Sequence, residues 1–405
     1  MRILEVSASG TVGARDMGPV STGVCRLANG LVRRGHEVTV IDPAATNARS
    51  VLDTRVRVVT VPSFLRRRYF VKLPAKLLLL YTWIHALFYV LSLWRRVRFG
   101  AFDVVHVHDV EIAYLLGLGR VPYYYTSHST VWALKAEGGT RLSLGLRFEK
   151  GIESFAILRS RMSIGLGDYL RRQMLDAPVT TIPNGIEAAQ WQPIDKSAAR
   201  RTLGIDDDEF VVVFTGRIHP NKGVDLLVEA VRSLGTSIQR LRVFAIGPVG
   251  GHAHARTEAS HYAADVMERA KGLPVRFTDF IANHSPQFRA YLAAADVAVI
   301  PSRVEPFGNV ALEALMMSVP VIAARTGGLA EIVSDDVGVL VAPNDVQALA
   351  AAIRDAYAQP EKLAMRRACC RRRVMEKYTV EQFVGRHAAL FARDQVVFER
   401  GRVPA

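Results

Sequence analysis

The sequence predicts an α/β fold of two Rossmann-like, doubly wound parallel-sheet domains with a central cleft between the carboxyl ends of their sheets. Two observations carry this. Short apolar runs alternate with helical stretches along a chain of 405 residues, and strands this apolar between helices belong to parallel sheets covered on both faces. The alternation also stops once and restarts, which at this length points to two domains.

In the first half the apolar runs are residues 3–6, 37–41, 56–61, 104–107, 123–126 and 179–182. Helical stretches lie between them, among them 22–34, ended by Gly35, and 72–98. Pro183-Asn184-Gly185 is a turn signal, followed by an irregular stretch at 188–195. The runs then resume at 210–215, 241–246, 275–280, 297–300, 319–323 and 339–341. This places a first domain at 1–187 and a second at 188–379. From Thr379 onward the tail reads as a long helix with Phe383, His387, Leu390 and Phe391 on one face.

Half the residues are hydrophobic and 22% are charged, an ordinary globular balance that excludes a disordered chain. Lys and Arg number 52 against 38 Asp and Glu, a formal charge of +14. Such an excess attracts phosphates, nucleic acid or anionic membrane and says nothing about fold. No aromatic-basic motif or nucleic-acid module accompanies it, so nucleic acid is not an expected partner. Three cysteines, Cys25, Cys369 and Cys370, make no disulfide framework and suit a reducing cytosol. The first seven residues are too short and too soon polar for a signal peptide and read as a buried strand.

The sharpest signals lie in the second half. Run 210–215 ends in Gly216-Arg217-Ile218-His219-Pro220-Asn221-Lys222-Gly223, with a helix from Val224. Glycines let the chain turn tightly against a ligand. Arg217 offers a planar fork of donors and Lys222 a mobile charge; beside a helix N-terminus, two cations suit a diphosphate. On residue types alone, solvated cations in a loop explain the stretch equally well. Run 297–300 leads into Pro301-Ser302-Arg303-Val304-Glu305-Pro306-Phe307-Gly308-Asn309 and a helix containing Glu313. Amides around Phe307, Gly308 and Asn309 open that helix toward an anion. Glu313, two turns in, can take the two hydroxyls of a ribose, and Glu305 lies near the loop tip. Taken alone, the two acids fit an N-cap neighbour and a solvated helix acid better.

Together these motifs resemble glycosyltransferase family 4, of the two-domain GT-B architecture. Supporting pieces follow in the expected order: Asn184-Gly185-Ile186-Glu187, Pro320-Val321-Ile322, Gly327-Gly328-Leu329-Ala330-Glu331, Arg34-Gly35-His36-Glu37 and Asp103-Val104-Val105-His106-Val107-His108-Asp109. The resemblance implies a retaining, metal-independent transferase that uses a nucleotide diphosphate sugar, with a UDP-sugar expected ahead of a GDP-sugar. It implies that Arg217 and Lys222 neutralise the departing diphosphate and Glu313 binds ribose. Glu305 and the amides of Phe307, Gly308 and Asn309 then engage the transferred sugar. The final helix, 380–405, is expected to complete the first domain, which holds the acceptor. His128, after run 123–126, matches a family histidine that meets the donor sugar. Gly23 matches one of two glycines that the family often places just before the first helix, against the diphosphate; its neighbour here is Thr22. A nicotinamide cofactor is not expected, because no G-x-G-x-x-G follows the first strand.

Residues 77–94 contain no Lys, Arg, Asp or Glu, and arginines and lysines flank both ends. A membrane span is rejected, since the flanking strands share one sheet and both helix ends must lie on one side. A weak polar stripe of Thr82, His85, Tyr89 and Ser92 leaves most of the circumference apolar. The helix therefore reads as a peripheral anchor on anionic membrane, with a protein-covered core helix as the alternative. A lipid-linked or cell-envelope glycan at the cytoplasmic face is the acceptor expected on that basis. Asp206-Asp207-Asp208 reads as a solvated loop, Arg366 to Arg373 as a solvated helix face, and His252, His254 and His261 as a weak zinc signal.

Overall fold

In the computed structural model the described residues are 1–7, 18–42, 51–61, 75–128, 144–174, 177–248, 258–283 and 285–400; at 19, 75–82, 144–146, 258–260 and 394–400 only the backbone is described. The chain divides into two compact units. One comprises Met1–Gly185 and Val380–Ala405, the other Ile186–Thr379.

The first unit is built on seven strands: β1 (Arg2–Val6), β2 (Glu37–Asp42), β3 (Arg57–Thr60), β4 (Val104–Val107), β5 (Tyr124–Ser127), β6 (Met162–Gly165) and β7 (Val179–Thr181). Their spatial order is β3-β2-β1-β4-β5-β6-β7, and every pairing is parallel. β6 was not expected: four residues with Ser163 and Gly165 among them carry no apolar run. The helices are α1 (Pro19–Arg33), α2 (Ala75–Arg96), α3 (Val110–Leu118), α4 (Leu144–Arg159) and α5 (Asp168–Gln173). The alternation of side chains sends Ile3, Val38 and Val104 to one face and Leu4, Ile41 and Val105 to the other. The first set packs under α1 and the carboxyl-terminal helix, the second under α2, α3 and α4.

Pro19 presets its own φ, so α1 begins at Pro19, three residues before the expected start at Thr22. Tyr89 in α2 is buried, and its hydroxyl donates to the Ser7 carbonyl at 3.2 Å. Of the weak polar stripe, Tyr89 therefore belongs to the core, while His85 and Ser92 are half-buried. No helix among the described residues is long and apolar enough to cross a membrane.

The second unit has six parallel strands in the order β10-β9-β8-β11-β12-β13. They are β8 (Phe210–Thr215), β9 (Leu241–Ile246), β10 (Val275–Thr278), β11 (Val297–Ile300), β12 (Val321–Ala324) and β13 (Gly338–Val341). Helices α6 (Lys196–Leu203), α7 (Val224–Leu234), α8 (Glu258–Arg269), α9 (Pro286–Ala294), α10 (Asn309–Met316), α11 (Leu329–Ile332), α12 (Val346–Ala358) and α13 (Pro360–Lys377) belong to this unit, and α14 (Val380–Arg400) to the first. Asp296 ties β11 to the centre of the sheet. Its Oδ2 accepts the Val211 N–H at 2.7 Å and a guanidinium N–H of buried Arg200 at 2.8 Å. These bonds satisfy a charge that burial otherwise penalises.

One surface expectation is corrected, and the solvated Asp206-Asp207-Asp208 loop stands. The arginines of α13 are not a solvated face. Arg367 donates to the Ala295 carbonyl, Arg371 to those of Trp191 and Met316, and Arg373 to those of Glu331 and Ile332. They satisfy carbonyls left open where elements end. Asp206 and Asp208 are exposed, but both pair with Arg240. His252 and His254 lie outside the described residues, and His261 is exposed on α8. Cys25, Cys369 and Cys370 form no disulfide with one another.

Candidate active site

In an open parallel sheet, ligands favour the carboxyl ends of the strands where the winding reverses. In the second unit that point lies between β8 and β11, which pair directly. The loops leaving these two strands carry the residues singled out by motif.

After β8 the chain turns through Gly216 at φ 151° and reaches Gly223 at φ 67°. A Cβ at Gly223 would stand 2.1 Å from the Pro301 carbonyl oxygen at the end of β11. Only glycine permits both the left-handed backbone and this contact between loops. Between the glycines, Arg217 is exposed and has no ion-pair partner among the described residues. Lys222 closes a short 3-10 turn, Pro220–Lys222.

The loop after β11 is clamped onto this one by Arg303. Its backbone N–H donates to the Asn221 carbonyl at 2.9 Å. Its guanidinium meets both Asp225 oxygens, at 2.8 and 2.7 Å, and the Pro220 carbonyl at 2.7 Å. Burial pushes the Asp225 carboxyl up, but Arg303 and the Tyr262 hydroxyl outweigh it and hold the group below its ordinary value. Two residues on, Glu305 is buried and its Oε2 accepts from Lys222 Nζ at 2.6 Å and from the Ser302 hydroxyl at 3.3 Å. Two residues 83 positions apart thus form one ion pair.

The rest of the loop explains a further motif. The Glu305 carbonyl accepts the Gly328 N–H at 3.1 Å. A Cβ on Gly328 would stand 2.3 Å from the oxygen of buried Phe307. Gly308, at φ 113°, opens α10, and its carbonyl accepts the Ala311 N–H at 2.9 Å. Glu313 sits on α10, buried, and its Oε1 accepts from Asn283 at 3.4 Å.

The first unit holds a buried polar cluster on the α14 side of its sheet. Glu5 of β1 and His106 of β4 are register partners. His108, two residues on, shares their face. His108 Nε2 lies 2.9 Å from Glu5 Oε2, and His108 Nδ1 lies 3.0 Å from His128 Nε2. His106 Nε2 meets the Thr126 hydroxyl at 2.7 Å, and its Nδ1 stands 2.8 Å from Glu5 Oε2, off the line of a straight bond. His387 of α14 packs beside His106, ring centres 5.5 Å apart. Burial raises the Glu5 carboxyl, but His106 and His108 outweigh it and bring it to about 2. Burial, then His108, His106 and His387, holds His128 well below the ordinary imidazole value. One carboxylate and two imidazoles are a zinc-type donor set. Their 2.8 and 2.9 Å contacts are hydrogen-bond distances; ligands around a tetrahedral zinc ion stand about 3.3 Å apart.

Two family models divide the chain between them: "Glycosyltransferase Family 4" matches residues 20–190 and "Glycosyl transferases group 1" matches residues 195–371. The chain belongs to glycosyltransferase family 4. A D-inositol 3-phosphate glycosyltransferase of Geodermatophilus obscurus is 35% identical over 65% of the chain, a match spanning 61% of that relative's length. An uncharacterized glycosyltransferase of Methanocaldococcus jannaschii is 29% identical over 80% of the chain and 81% of its own. Among solved structures, sucrose-phosphate synthase of Thermosynechococcus elongatus superposes with a TM-score of 0.81 at 22% identity, covering 98% of this chain and 99% of that one. Anabaena HepE in complex with UDP does so with 0.71 at 20%, covering 97% and 100%. These likenesses show the GT-B fold.

Within this glycosyltransferase, Gly23 differs from its expected place. It lies in the second turn of α1, where a Cβ would meet nothing within 4 Å. Sequence reasoning passed over Arg303, Asp225, Glu5 and His108. An acid inside an apolar first strand and histidines two apart in another are legible signals that a strand face is not purely apolar.

Proposed function

We propose that this glycosyltransferase moves a sugar from a nucleoside diphosphate to an acceptor hydroxyl with retention at the anomeric carbon. The observation that carries this is the half-buried Lys222–Glu305 pair at the reversal point of the second sheet, held there by Arg303. Lys222, Arg217 and the first N–H groups of α10 supply positive charge where a departing diphosphate gains its negative charge, so this reading calls on no metal. Glu313 takes the ribose, and Glu305 with Phe307, Gly308 and Asn309 holds the transferred sugar. Gly23 leaves space for the diphosphate, and His128 meets a sugar hydroxyl. The bond from the anomeric carbon to the phosphate oxygen breaks, the acceptor oxygen bonds on the same face, and the departing phosphate takes the hydroxyl proton. The engagement of the Glu305 carboxylate by Lys222 and Ser302 favours this route over a covalent sugar on Glu305. We take a UDP-sugar as donor, in keeping with the UDP named for HepE.

For the acceptor we propose a lipid-linked or cell-envelope glycan at the cytoplasmic membrane face. Ile84, Leu87, Phe88, Leu91 and Trp94 of α2 are exposed, Phe88 by 54%. Arg95, Arg96 and Arg98 beyond them are exposed as well. Apolar side chains beside cations suit peripheral binding to anionic lipid. A soluble polyol phosphate is the second reading, favoured by the D-inositol 3-phosphate glycosyltransferases among the relatives. Protection from thermal unfolding by a panel of nucleotide sugars tests the donor, and Glu305→Gln is expected to abolish transfer with the fold intact. Near-normal turnover of that variant removes Glu305 from the mechanism. Flotation with anionic liposomes, lost in Leu87→Ser/Phe88→Ser, separates the acceptor readings; wild-type protein that never floats leaves the soluble one.

A further inference from the structure

The first sheet aligns an uninterrupted chain of proton-bearing groups ending at His128. Strand register and side-chain alternation place Glu5, His106 and His108 on one face, and Glu5, His106 and His108 are buried. We propose that Glu5 and His108 are positioning residues that fix the tautomer of His128, so that its Nδ1 keeps a lone pair for a hydroxyl of the bound sugar.

An ionised carboxylate only accepts, so the contact between His108 Nε2 and Glu5 Oε2 at 2.9 Å puts the hydrogen on His108 Nε2. A neutral imidazole carries one N–H, so His108 Nδ1 is bare. The 3.0 Å contact of that nitrogen with His128 Nε2 is then a bond donated by His128 Nε2–H. His128 is half-buried beside other imidazoles, which disfavours a second proton, so it is neutral and its own Nδ1 is bare. A bare nitrogen accepts the hydrogen of a sugar hydroxyl, leaving the hydroxyl oxygen with electron density to share; the opposite tautomer would donate to that oxygen. Thr126 occupies His106 Nε2 at 2.7 Å, so His106 does not compete for His128. One other arrangement satisfies the same distances: a cationic His108 donates from Nδ1, and His128 then carries its hydrogen on Nδ1. The two differ in a directly observable way.

The sugar as ligand rests on the proposed transferase reading; the tautomer does not, and the experiment keeps them apart. The full chain is labelled with 15N at its 11 histidines, and His128 is assigned through a His128→Gln variant. The expected spectrum of unliganded protein has a bare Nδ1 and a protonated Nε2 on His128. Glu5→Gln and His108→Phe each release the tautomer into a mixture. They lower kcat with a UDP-sugar by about tenfold to a hundredfold, the usual cost of losing the group that orients a functional histidine, while donor KM changes little. A protonated Nδ1 on His128 in the wild type overturns the proposal, as does one equivalent of bound metal in purified protein. Variants that keep both tautomer and kcat overturn it too. If the variants do not fold, the wild-type spectrum alone decides. If no nucleotide sugar is turned over while the spectrum is as expected, the transferase reading fails and the tautomer assignment stands.

Discussion

Replacing Lys222 with Met tests the central pair at its source. Methionine keeps the length of the side chain and removes its charge. Glu305, whose side chain is 10% exposed, then keeps only the Ser302 hydroxyl at 3.3 Å. A buried charged acceptor stripped of its donor costs about 1–3 kcal/mol. The upper end for fully buried pairs does not apply, because Lys222 is 21% exposed. For a unit the size of Ile186–Thr379, each kcal/mol moves the midpoint by about 2–4 °C, so a fall of several degrees is expected in a thermal melt. Adding Glu305→Gln removes the stranded charge and should restore part of that loss, a coupling of about 0.5–3 kcal/mol in the double-mutant cycle. Turnover should fall by about a hundredfold to a thousandfold in Lys222→Met, the usual cost of losing one preorganised donor at a developing anion, and the double variant should not recover it. A Lys222→Met enzyme that melts and turns over like the wild type would refute both the energetic role and the catalytic one.

Other perturbations have distinct signatures. Asp225→Ala removes the two-pronged partner of Arg303 and is expected to cost about 1.5–3 kcal/mol and to reduce turnover through the displaced Glu305 loop; unchanged kcat would show that Arg303 does not need its partner. Gly223→Ala imposes a left-handed alanine and a 2.1 Å clash with Pro301, so denaturant unfolding should show a loss of more than about 1 kcal/mol; an equal midpoint would mean that the two loops part easily. His387 is held down to about 3, chiefly by burial and then by His106. The folded state therefore binds fewer protons than the unfolded one, and this contribution is complete above about 6.5 and is lost as pH falls from there toward 3. His387→Gln should flatten the stability profile in that window by up to about 1.4 kcal/mol per pH unit; an unchanged slope would assign it to other groups.

The fold class could be read because β8 and β11 are wholly apolar runs bounded by turn residues, and helices separate them. β6 could not, because Met162-Ser163-Ile164-Gly165 is too short and mixed to stand out. The Lys222 and Glu305 positions were readable as motifs, but their pairing depends on strand order, which local pattern does not carry. No local pattern gives Arg303 a role, because its partner Asp225 lies 78 residues away. Glu5 and His106 are opposite each other only because β1 and β4 pair across about a hundred residues. The α13 arginines were misread for a related reason: a charge run looks solvated until the carbonyls that it meets are known.

The last helix has a consequence for how this protein is made. Val380, Phe383, Val384, Leu390 and Phe391 belong to the same apolar cluster as Val24, Leu27 and Leu31 of α1, and Gly30 is the notch that admits Val384, where even a methyl would stand 2.3 Å from it. On a ribosome, residues 186–379 are complete before α14 is synthesised, so the second unit can close its core while the first still waits, its α1 surface uncovered. Translation must run past Phe391 before α1 can settle, and a chain stopped before Val380 leaves that surface open to chaperones and proteases.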